Sequence, residues 1–153
     1  MNAWLAALEA SEPATVLRLS FYLYPLLNAL HILAIGALVT SAVLMDLMVL
    51  GLWRRLPAEA FMRLLRPLAM VALVIAITSG FYLFSVRPLE YAANPAFRLK
   101  LAIFALAVLN AVLFVGIERW NRAGRAMLKP MAALSLLLWP SILLAGRFIG
   151  FIE

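Results

Sequence analysis

The sequence predicts an all-α integral membrane protein, a four-helix bundle with an N-terminal interfacial helix. Three observations predict it. Hydrophobic residues make up 67% of the 153 positions, against roughly 45–50% in soluble domains. Charged residues are 13%, about half the usual share and too few to cover the surface of a small soluble protein. The charges also fall between long uncharged stretches rather than evenly along the chain. This pattern excludes an ordinary soluble enzyme, a disordered chain and a conventional nucleic-acid binder. The expected partner is the lipid bilayer, with no nucleic acid. One histidine and no cysteine also exclude disulfides, thiolate chemistry, iron–sulfur clusters and zinc sites built from several Cys or His of one chain.

Residues 1–23 form a separate interfacial segment. Asn2 can cap a short helix whose apolar side is Trp4, Leu5 and Leu8, beside Glu9. Glu12-Pro13 interrupts it and Ala14–Ser20 can resume, giving one or two helices on the membrane surface. The amino end lacks the basic region of a cleaved signal peptide.

The four-helix bundle occupies 24–153. Between Tyr24 and Leu50 only His31 and Asp46 are ionisable; Pro67–Val86, Leu101–Ile117 and Met131–Gly146 carry no charge. Crossing the hydrocarbon core takes about 20 mostly apolar residues, so the spans are placed at about 24–50, 67–86, 98–117 and 131–150. The alternating polarity of a membrane barrel strand is absent. Gly51–Arg66 contains Arg54, Arg55, Arg63 and Arg66 against Glu59. Glu118–Pro130 contains Arg119, Arg122, Arg125 and Lys129 against Glu118. Lys and Arg concentrate in cytoplasmic loops. Both loops are therefore expected in the cytoplasm, with both termini on the periplasmic side of a bacterial inner membrane.

Polar groups inside the spans carry the functional information, since each needs a partner or a wet cavity. His31 lies roughly 10 Å below the outer end of the first span, with Asn28 on the same face. Arg87 ends the second span, Arg98 and Lys100 open the third, and Arg147 lies near the outer end of the fourth. All four helices thus bring a cationic or ionisable group to one half of the bilayer. Three readings fit. The cations can snorkel to phosphates around a hydrogen-bonded His31. The bundle can hold an anionic cofactor such as haem, with imidazole on the iron and Arg or Lys on the propionates. Or His31 can carry protons along a transport path.

A second polar level lies toward the cytoplasm, at Asp46 and Asn110. Asp46 can pair with Arg54, Arg55 or Arg66, or act as a proton or ion site. Gly36/Thr40, Ala37/Ser41 and the Thr78-Ser79-Gly80 run favour close helix packing, and homodimerisation through such faces is an open alternative. In the fourth span Pro140 should kink the helix beside Trp139, with Ser141 available to the freed backbone groups. Met45 and Met48 share a face suited to copper(I), but lie far from His31.

Particular strings carry a resemblance. Leu27-Asn28-Ala29-Leu30-His31-Ile32-Leu33, then Asp46-Leu47 and Leu50-Gly51, resemble a family of small bacterial four-helix membrane proteins known as a domain of unknown function. Asn94-Pro95-Ala96-Phe97-Arg98-Leu99-Lys100-Leu101 and Trp139 with Ala145-Gly146-Arg147 extend the likeness over nearly the whole chain. More distantly, a first-helix histidine with a Lys-Leu opening the third helix is similar to the HemJ-type protoporphyrinogen oxidases and the copper resistance D family. That likeness implies haem b, with His31 as ligand to the haem iron and Lys100 as its functional, catalytic partner. Around Lys100, the oxidases' tryptophan-histidine context is replaced by Ala96-Phe97-Arg98. With one histidine per chain, the iron would be five-coordinate, take a non-histidine ligand, or use a second copy of the chain.

The leading expectation is therefore a small redox-related membrane protein, an oxidoreductase if it is an enzyme. It would bind haem b or a related anionic cofactor. In it His31 holds the metal, Lys100, Arg98 and Arg147 hold carboxylates, and Asn28 and Trp139 line the pocket. The alternatives are a proton-coupled transporter-like or accessory subunit without cofactor, and a structural membrane protein.

Overall fold

The computed structural model describes residues 2–53, 57–120 and 125–149. All regular elements among the described residues are helices: α1 (Asn2–Glu9), α2 (Glu12–Leu19), α3 (Leu23–Leu50), α4 (Ala58–Val86), α5 (Pro88–Ala93), α6 (Pro95–Trp120) and α7 (Arg125–Phe148). α3, α4, α6 and α7 are long and apolar enough to cross a membrane, which makes the chain a multi-pass membrane protein. The end of the bundle where α3 starts and α7 finishes is called the terminal end here, and the other the basic end.

Local chemistry sets the helix boundaries. α3 stops at Gly51, whose φ of 92° is left-handed. Gly51 N–H donates to the Met48 carbonyl and Leu52 N–H to the Leu47 carbonyl, both at 3.0 Å, the paired bonds of a Schellman cap that favours glycine. α6 starts on Asn94-Pro95. Asn94 Oδ1 accepts from Ala96 N at 2.9 Å and Phe97 N at 3.3 Å. Pro95, at the first helical position, has no N–H to satisfy. Asn94 Nδ2 also donates to the Ile149 carbonyl at 3.4 Å, tying the start of α6 to the end of α7.

The long helices outrun the apolar windows. α4 begins at Ala58 rather than 67, and α6 runs from Pro95 to Trp120 rather than 98–117. α7 is shifted to Arg125–Phe148 from the expected 131–150. Backbone hydrogen bonding continues into the headgroup region, where charge is tolerated, so hydropathy underestimates helix length. α7 runs as one helix through Pro130 and Pro140. Ser141 Oγ donates to the Leu137 carbonyl at 2.6 Å, next to the position that loses its donor at Pro140.

α3 packs against α4 and α7, and α6 packs against α7. Among the described residues α4 and α6 meet through side chains alone. At the terminal end Phe84 stacks on Phe97 at 5.4 Å and 6°; at the basic end Arg66 pairs with Glu118. Small residues bring the backbones close, with Ala42, Ala72 and Ala107 buried around Leu38 and Trp139. Without a water-driven hydrophobic term, such contacts rest on dispersion and close fit. Trp139 meets Phe104 edge-on at 6.4 Å. Trp139→Ala is expected to cost about 3 kcal/mol, the low end for a core tryptophan because little transfer from water is involved. Unfolding in mixed micelles measures this.

α1, α2 and α5 cover the terminal end. Leu5, Ala14 and Leu17 are buried, while Trp4, Leu19 and Phe21 are exposed. The segment expected on the membrane surface thus also packs on the bundle, α1 against α5 and α2 against α3 and α4. α5 itself falls in a stretch read from sequence as a connection.

Candidate functional site at the terminal end

His31 is half-buried, a little over two turns into α3. Its Nδ1 lies 2.8 Å from Ser79 Oγ on α4. Ser79 is buried and donates its hydroxyl hydrogen to the Ile75 carbonyl at 2.5 Å, a back-bond to the preceding turn. A serine hydroxyl has one hydrogen and two lone pairs. With the hydrogen committed to Ile75, Oγ serves His31 as acceptor, so the ring proton is assigned to Nδ1 from this network. The Ala76 carbonyl is a further acceptor beside the ring. Nε2 is left with its lone pair, the form in which neutral imidazole binds a metal. A second-sphere hydrogen bond of this kind also fixes ring orientation.

Gly80 makes room for the ring. A Cβ at that position would lie 2.9 Å from His31 Cε1, closer than carbon atoms tolerate. Lys100 comes from the first turns of α6, positioned by the Asn94 cap, and lies along Gly146 of α7. There a Cβ would meet Lys100 Nζ at 3.5 Å, an ordinary contact. The ammonium is close enough for its charge to act on the His31 ring, although the two groups sit on different helices and no described hydrogen bond joins them. Among the described residues no carboxylate pairs with Lys100. A half-buried ammonium with no counter-charge among the described residues favours an anionic guest, because charge-assisted hydrogen bonds are strongest where water is scarce.

The other sequence candidates are distributed differently. Asn28 is exposed on α3. Arg98 is exposed and its Nε donates to the Ala92 carbonyl at 2.7 Å, tying it to α5. Arg147 is exposed on α7, beside the Gly146 that carries Lys100. Trp139 is a core residue about two turns deeper than Gly146. Asp46 and Asn110 are buried at the other level. Arg66 pairs with Glu118 rather than Asp46, because it projects from α4 toward α6. Arg54 and Arg55 lie outside the described residues.

An aromatic group closes the terminal end above the site. Phe84, Tyr91 and Phe97 have ring centroids 5.4–6.3 Å apart. Burial and the neighbouring Tyr24 hold the Tyr91 phenol above its ordinary value, so it stays a neutral donor.

Ser79, Gly80 and Gly146 are the site residues that sequence reasoning did not assign. Ser79-Gly80 reads as helix-packing material. Its depth was the usable signal: Ser79 is seven residues from Val86, and His31 seven from Tyr24, so both lie roughly 10 Å from the same end.

No known protein family, curated protein or solved structure matches this chain.

Proposed function

We propose that this membrane protein holds an anionic cofactor between His31 and Lys100, haem b being the first candidate, and that it serves redox chemistry. The observation that carries this reading is the bond between His31 Nδ1 and a Ser79 hydroxyl that donates to Ile75, which favours the ring proton on Nδ1 and a lone pair on Nε2. The donor set fits haem b: one imidazole nitrogen for iron, and Lys100 with neighbouring Arg147 for its carboxylates. The single histidine leaves the second axial position to another side chain or a second copy of the chain. Haem b, when bound, supplies one-electron iron chemistry; the chain supplies orientation, charge and exclusion of water. As an enzyme it would be a membrane oxidoreductase with Lys100 against the reacting group. The basic loops support a bacterial inner-membrane location with both termini periplasmic, which puts the site in the outer half of the bilayer.

Haemin titration of the purified protein in mild detergent tests this. Wild type is expected to develop a saturable Soret band. Lys100→Ala is expected to weaken binding about 10–100-fold, the loss of one charge-assisted contact worth roughly 1.5–3 kcal/mol. A folded wild type that leaves the haemin spectrum unchanged overturns the reading.

A further inference from the structure

Asp46, at the basic end of α3, is the chain's single aspartate and is 7% exposed. Ser135 of α7, equally buried, hydrogen-bonds its carboxyl. The oxygen Oδ2 is buried and has no hydrogen-bond partner among the described residues. Among the described side chains, the neighbouring helices bring no cation to it. On α4, Arg66 is engaged by Glu118 of α6, and Arg63 is exposed. On α7, Lys129 is exposed near the helix start. On α6, Asn110 gives its Nδ2 hydrogen to the Met131 carbonyl at 3.1 Å. No described ion pair includes Asp46; Arg54, Arg55 and Arg122 lie outside the described residues, as do the side chains of Arg119 and Arg125.

A carboxylate in this setting would keep a full charge in an apolar interior with one oxygen unserved, a costly arrangement. Adding a proton removes the charge. It also turns an unserved acceptor into a hydroxyl that can donate to a carbonyl one helical turn back. The geometry points to Asp46 as a proton-binding site, held by Ser135 in the half of the bundle opposite His31. Its ligand is a proton exchanged with the basic end of the bundle. The inference is independent of the cofactor reading, since no described contact joins the two sites.

The single aspartate makes the test direct. The protein is labelled with 13C at the aspartate side-chain carboxyl, with unlabelled asparagine supplied, and reconstituted in liposomes for solid-state NMR. At pH 5 the one carboxyl resonance is expected at the neutral-acid position, where an ordinary aspartate is ionised. It should shift in Ser135→Ala and stay put when sodium replaces potassium. A carboxylate resonance at pH 5 overturns the inference, because it means an ion-paired group. A resonance switched by sodium overturns it too, because it means a metal-cation site. The wild-type spectrum decides even if Ser135→Ala fails to fold.

Discussion

His31→Ala is expected to leave a folded bundle that gives no Soret band with haemin. The substitution removes a half-buried ring whose side-chain bond among the described residues is to Ser79, and Ser79 keeps its bond to the Ile75 carbonyl. No buried hydroxyl is orphaned, so the stability loss is expected near 1 kcal/mol. Binding falls much further. Changes to a ligand's supporting residue typically cost 10–100-fold, and loss of the ligand itself is expected to exceed about 100-fold. Haemin titration and thermal unfolding of the same preparation separate the two effects. Equal Soret bands in wild type and variant would remove His31 from the site.

Gly80→Ala and Gly146→Ala should behave differently although both add one methyl group. At Gly80 the new Cβ would sit 2.9 Å from His31 Cε1, so the ring must leave its bond with Ser79. At Gly146 the nearest atom is Lys100 Nζ at 3.5 Å, which accepts a methyl without moving. Alanine favours an α-helix over glycine by up to about 1 kcal/mol, so neither change should weaken the helix itself. The expected result is a 10–100-fold loss of haemin affinity for Gly80→Ala, and less than about 3-fold for Gly146→Ala. Equal affinities in the two variants would mean that ring orientation does not govern binding.

The four spans were legible because lipid imposes a length and a composition that few soluble helices share. Their ends were less so: α4 carries Arg63 and Arg66 within a continuous helix, where a hydropathy window sees a boundary. α5 was hidden because six residues with Pro88 and Glu90 carry too little periodicity to distinguish a helix from a turn. At the site, depth alone brought His31 and Lys100 together. It grouped Arg98 and Arg147 with them as well, since depth does not say which way a side chain leaves its helix. The missing partner was a pairwise fact: Ser79 and Gly80 become His31 neighbours only once α3 and α4 are set in register. For Asp46 the sequence offered Arg54, Arg55 or Arg66 as an ion-pair partner; Arg66 faces α6, a serine on α7 bonds the carboxyl, and Arg54 and Arg55 lie outside the described residues.

The account depends most on which nitrogen of His31 carries the proton. As the only histidine, its two ring nitrogens can be read alone in protein labelled with 15N-histidine and reconstituted in liposomes. The account predicts a neutral ring protonated at Nδ1, with an Nε2 resonance that moves or broadens when haemin is added. A ring protonated at Nε2, or an Nε2 resonance unmoved by saturating haemin, would contradict it.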